Sequence, residues 1–158
     1  MKQKLIVGID ADIDKSGVAI LSNFKYTDYS FAVHKGYLYF NKLQFVEVFE
    51  LLSEIYVFCE NENITPELFI DAGWLNVTKN YHVAKTKAIA AKIGYNVGQN
   101  HQTGKLIVQL AKNLNFRVHE VKPTQKKWNS ETFQNIVGIK VRTNSEVRDA
   151  VKLIFGRI

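Results

Sequence analysis

The chain is poor in the residues that staple, break or loosen a fold. It has 1 cysteine, Cys59, among 158 residues, so it can form no internal disulfide and no cysteine-rich zinc site. Only 2 prolines and 9 glycines are present, and no Pro/Gly/Ser-rich stretch marks a linker, which excludes a collagen-like or low-complexity chain. Internal repeats are absent. No apolar run approaches the roughly 18–20 residues that cross a bilayer. At the N-terminus, MKQKLIVGID has a basic start, but its short apolar run ends at a carboxylate, unlike a signal peptide. These absences lead us to expect a single domain over residues 1–158, a reducing cytoplasmic setting, no membrane partner, and Cys59 as a core residue.

What is present is a globular composition with a basic surplus. Hydrophobic residues make up 46% of the chain, and Lys plus Arg number 21 against 15 for Asp plus Glu, a net charge of +6. Such a balance suits a polyanionic partner, although a solvated basic surface gives the same count.

Along the chain, KLIVGID (4–10) is short, β-branched and closed by an acid, the pattern of a buried central strand. GVAILS (17–22) and a strand within 31–40 follow, which gives a three-strand meander. Leu43, Val46, Phe49, Leu52, Ile55 and Tyr56 recur at helical spacing over 42–60. ELFIDAGW (67–74) is again a strand running into a carboxylate, and 75–82 reads as a polar loop. A short helix is expected over Val83–Ile93, closed by Gly94, and another over 98–115. FRVHEVKP (116–123) reads as a fifth strand, followed by helices over about 124–136 and from Asn144 or Ser145, with Ser145 as a plausible cap. The fold class is therefore α/β: a mixed five-stranded sheet, three antiparallel strands plus two parallel, flanked by helices.

Three features carry chemistry. Asp10 ends the first strand and Asp71 ends the fourth. If those strands are parallel neighbours, both carboxylates project at the sheet edge where open α/β sheets place their sites. Glu146 and Asp149, at i and i+3, share one face of the final helix. Singly, each acid also suits a turn or a helix dipole. Together they would repel one another unless a cation lay between them, and hard oxygen donors select Mg²⁺ or Mn²⁺. Two such ions suit in-line phosphoryl displacement. His34 and His119 fall in expected strands, His101 near a helix start and His82 in the polar loop. None has zinc-binding spacing.

GIDADIDKSGVAIL, LFID (68–71), EVKPTQKKW (120–128) and EVRDAVKLI (146–154) together resemble the RuvC-type Holliday-junction resolvases of the RNase H-like superfamily. The four motifs come in the family's order and are spread over nearly the whole chain. The resemblance implies an RNase H-like fold and a metal-dependent endonuclease that cleaves branched DNA through two Mg²⁺ ions, with Mn²⁺ as a substitute, acting as a homodimer. It implies metal ligands and catalytic residues at Asp10, Asp71, Glu146 and Asp149. It places Trp74 where the family carries a base-stacking aromatic, and Lys126 or Lys127 where a lysine after the proline contacts phosphates, with Lys127 also catalytic. Lys140 and Arg142 are candidates for a second DNA contact, and Trp128 reads as a packing residue. Asp71 stands where the family usually has Glu, and Glu146 where it has Asp. Two rival readings are a nuclease for structured RNA and a nucleic-acid-binding module without catalysis. A sugar-kinase-like ATPase, suggested by GIDADIDKSG, needs two domains and more chain than this.

Overall fold

The computed structural model describes residues 2–76, 86–124 and 126–158. Most of the expected polar loop, with His82, and the start of the expected Val83–Ile93 helix lie outside the described residues.

LIVGID forms β1 (Leu5–Asp10), which is buried along nearly its whole length. Alternation sends Leu5, Val7 and Ile9 to one face and Ile6 to the other, so the strand is apolar on both sides. β2 (Ser16–Ser22) pairs with it antiparallel, and β4 (Gly36–Leu43) pairs with β2. The expected third strand over 31–40 is two strands. β3 (Phe31–Val33) turns back at His34 and Lys35 to pair with the start of β4, so among the described residues the sheet has six strands rather than five. His34 therefore sits in a turn rather than a strand.

β5 (Glu67–Asp71) lies parallel to β1, and β6 (Arg117–Val121) lies parallel to β5. The full order is β3-β4-β2-β1-β5-β6. Among the described residues, this sheet is covered by two pairs of helices. One face carries α1 (Phe45–Glu62) and α2 (Lys87–Asn113), and the other carries α3 (Ser130–Val137) and α4 (Ser145–Ile154). The expected meander is not simple, because β4 rather than β3 lies beside β2; these four antiparallel strands, two further strands parallel to β1 and helices on both faces make up the RNase H-like arrangement that the resemblance implies.

Several helix expectations shift. α1 starts later than 42 because β4 runs to Leu43, and Gln44 with Glu47 closes a capping box at its start. Its buried face is Val48, Leu52, Ile55 and Cys59, whereas Val46 and Phe49 are exposed. The two helices expected on either side of Gly94 are one, α2. A Cβ added at Gly94 or Gly98 would meet nothing within 4 Å among the described residues, so neither glycine is required by packing there and neither interrupts the helix. Ile107, Val108 and Ala111 of α2 cover the sheet. The helix expected over 124–136 begins only at Ser130, where Asn129 caps it. At α4 the cap is Asn144, whose Oδ1 accepts from the Val147 N–H 2.9 Å away, and not Ser145.

One packing feature decides where α4 sits. A Cβ on Gly8 would lie 2.4 Å from the Ala150 carbonyl oxygen, and one on Gly17 would lie 2.1 Å from that of Glu146. The helix backbone thus rests directly on β1 and β2, in space left by two absent side chains.

Candidate active site

Parallel pairing sets Ile9 beside Ile70, so the next residues, Asp10 and Asp71, leave the sheet side by side. The first turns of α4 rest on the same end of β1 and β2, which brings Asp149 to the two aspartates. The fourth contributor is Lys127, on the connector between β6 and α3. Its Nζ donates to Asp149 Oδ2 at 2.6 Å.

The electrostatics show how closely these groups are coupled. Burial pushes the Asp10 carboxyl up to about 7, the charges of Asp71, Asp149 and, least, Glu146 push the same way, and Lys127 opposes them. Asp71 is raised by burial and by Asp149, and lowered by Lys127 and Lys152. The hydrogen bond to Asp149 holds the Lys127 ammonium above its ordinary range, against the effect of burial. Glu146 behaves differently. Burial raises its carboxyl, but hydrogen bonds with its own backbone and Ser145, together with Lys42, bring it below the ordinary value. Its Oε2 lies 3.6 Å from Lys42 Nζ. Of the four acids expected in one cluster, three share a strongly coupled centre and Glu146 stands beside it, paired with a lysine.

Among the described residues, no three acidic, histidine or cysteine side chains are close enough together to form a ready-made metal cage. The donor chemistry nevertheless fits a hard divalent cation. Three carboxylates converge, burial and then the neighbouring negative charges push the Asp10 carboxyl up to about 7, and a cationic ammonium already occupies the edge of the cluster at Asp149.

Trp74 follows Asp71 on a short 3-10 turn, Gly73–Leu75. Its Nε1 donates to Glu120 Oε1 at 2.9 Å, and its ring packs edge-on to His101 at 6.1 Å between centroids. A Cβ on Gly104 would lie 2.5 Å from the indole, so α2 accommodates the ring at a glycine. Asp10, Asp71, Trp74, Asn100 and His101 line a cleft of about 170 Å³. Lys126 is exposed, and its carbonyl accepts from Lys152 Nζ. Lys140 is exposed, and Arg142 lines a separate aromatic groove of about 480 Å³ with Tyr29, Phe31 and Phe40, so the structure brings neither to the carboxylates. Trp128 packs against Phe155, as a packing residue should.

Sequence reasoning missed several residues. Asn100 accepts from the Ile13 N–H at 2.9 Å and donates to Asp12 Oδ2 at 3.1 Å, pinning the turn that follows Asp10. His101 forms one wall of the cleft. Arg148 and Lys152 hold the connector that carries Lys127. The i, i+3 step from Asp149 to Lys152 was the one available signal, and a helical lysine is too common to single out.

No protein-family model matches the chain, and no curated protein matches it in sequence. Solved structures similar to it include Thermus thermophilus RuvC in complex with a Holliday-junction substrate, at 14% identity and a TM-score of 0.46, covering 95% of this chain and 89% of that one. A second Thermus thermophilus RuvC structure is similar at 15% identity and a TM-score of 0.44, covering 94% and 90%. LC11-RNase H1, isolated from compost by a metagenomic approach, is similar at 10% identity and a TM-score of 0.33, covering 75% and 84%.

Proposed function

We propose that this protein is a metal-dependent endonuclease for branched DNA. The observation that carries the reading is the convergence of Asp10, Asp71 and Asp149 at one sheet edge with the Lys127 ammonium against them. The three aspartates would hold divalent cations, with Glu146 available once released from Lys42. When bound, two Mg²⁺ or Mn²⁺ ions supply Lewis-acid polarisation of a phosphodiester.

The chain's own residues do the rest. Lys127 neutralises charge that develops on the phosphate. Trp74, held by Glu120 and Gly104, offers a rigid aromatic face beside the carboxylates for an unpaired base at a branch point. Exposed Lys126, Lys140 and Arg142 hold DNA arms through their phosphates without reading sequence, and a homodimer would match the two-fold symmetry of a four-way junction.

The deciding experiment is cleavage of a labelled four-way DNA junction with Mg²⁺ by wild type and Asp10→Asn, alongside a matched RNA junction. Paired nicks in DNA that disappear in the variant support the reading. Nicks confined to RNA replace it with an RNA nuclease. Tight binding without cutting leaves a binding module on this fold.

A further inference from the structure

Lys127 sits on a connector, residues 122–129, that has no regular secondary structure among its described residues. A long, exposed side chain on such a segment should sample many positions, yet its ammonium is aimed at Asp149. The backbone around it explains why. The carbonyl of Lys126, immediately before Lys127, accepts from Lys152 Nζ, which also donates to Thr124 Oγ1 at 2.8 Å. The carbonyl of Trp128, immediately after Lys127, accepts from Arg148 Nε at 2.9 Å. Arg148 is itself braced, because its guanidinium donates to the Thr143 carbonyl at 2.6 Å. Both cations come from α4, flanking Asp149 in sequence.

We propose that Arg148 and Lys152 form a two-point clamp that positions Lys127 over Asp149. Neither hydrogen-bonds a carboxylate; Lys152 also lowers Asp71 through its charge, but on Lys127 both act through the connector, as positioning residues. Asp149 and the clamp share one helix, so the lysine and its carboxylate partner are fixed to the same rigid body. The geometry also gives the two cations an employment other than DNA contact. Lys152, Lys127 and Thr124 line a pocket of about 270 Å³ beside Asp71 and Asp149, and Lys152 reaches across it to the connector rather than into solvent. The proposal deepens the nuclease reading by naming what places its lysine, and its first test does not depend on that reading.

That test is competitive acylation of the metal-free full chain by an amine reagent, with site-resolved mass spectrometry. Wild type, Lys152→Met and Lys152→Arg are compared, and Lys112, paired with Glu120, serves as an internal control. An ion-paired ammonium reacts slowly. The clamp predicts about a tenfold rise in Lys127 labelling in Lys152→Met, with Lys112 unchanged, and substantial return in Lys152→Arg, which can still reach both acceptors. Arg148→Lys should raise Lys127 labelling in the same way, and it keeps the proposal open to test if Lys152→Met melts early. Unchanged Lys127 labelling in folded Lys152→Met and Arg148→Lys overturns the clamp. If the chain cuts junctions, Lys152→Met lowers kcat about tenfold with KM unchanged, and loss through KM instead would assign Lys152 to DNA binding and overturn the positioning role. Absence of cutting by wild type counts against the nuclease reading alone, because the labelling result decides the clamp.

Discussion

Lys127 and Asp149 form a 2.6 Å ion pair whose two members act oppositely on Asp10: the carboxylate raises its pKa and the ammonium lowers it. The centre is therefore a balance of charge in partly dry surroundings, and changing any member shifts the others.

The first consequence is a pH dependence in the metal-free protein. The Asp10 carboxyl titrates near 7 in the folded state against an ordinary 3.8. Because its folded value is raised, its contribution to stability is complete below pH 3.8. It is lost as pH climbs through 7, while the unfolded chain has already released the proton. The difference corresponds to about 4 kcal/mol. In EDTA, Asp10→Asn should therefore melt above wild type at pH 8 and close to it at pH 4. Added Mg²⁺ should raise the wild-type Tm at pH 8 and leave the variant's unmoved. Equal melting of the two proteins at pH 8 would refute the charge balance.

Removing Lys127 tests the same balance from the other side. Its charge lowers the titration of both Asp10 and Asp71, so Lys127→Met should move both carboxyls further up. Carboxyl-carbon NMR titration reads this directly, and unmoved midpoints would mean that the ammonium is not beside them. Under the proposed function, the same variant should lose about a hundredfold in kcat.

Two glycines of opposite character test how α4 is seated. Gly17→Ala drives a methyl into the Glu146 carbonyl and should cost about 2 kcal/mol or more, with loss of the site's geometry. Gly94→Ala, on the open side of α2, should instead stabilise by about 0.5–1 kcal/mol. Chemical denaturation of both variants gives the comparison, and similar effects would show that α4 is not pressed onto the sheet.

Trp74 can be separated into its stacking and structural roles. Trp74→Ala should weaken junction binding by about 1–3 kcal/mol, and Trp74→Phe should retain most of the affinity despite losing the Glu120 hydrogen bond. Gly104→Ala, which displaces the indole without removing it, should shift tryptophan fluorescence and lower affinity while the chain stays folded. Affinity unchanged in Trp74→Ala would remove the residue from the DNA interface.

The sheet was largely legible because its central strands are short, β-branched and closed by acids, a pattern that periodicity reads well. β3 was not, since the two central turn residues, His34 and Lys35, are not turn formers and only Gly36, at the start of β4, marks the reversal. α2 was divided at Gly94 because glycine signals an end only when something must turn there, and here the helix simply exposes it. Asp10, Asp71 and Asp149 were legible from their places on elements, whereas the pairing of Glu146 with Lys42 depends on the β2–β4 register, which no local pattern encodes. The clamp was invisible for a related reason: it is made by side chains of one element and backbone carbonyls of another.

The seating of α4 on Gly8 and Gly17 also sets when the site can exist. β1 and β2 are neighbours in sequence, whereas Asp71 reaches Asp10 only through the α1 crossover, and Asp149 reaches both only when residues 145–154, far along the chain, are docked. A molecule with α4 undocked keeps most of the chain's basic surplus while lacking the assembled carboxylate cluster. The assembled cluster is thus tied to one long-range contact, and a chain with α4 undocked has Asp10 and Asp71 without Asp149 or its Lys127 partner beside them.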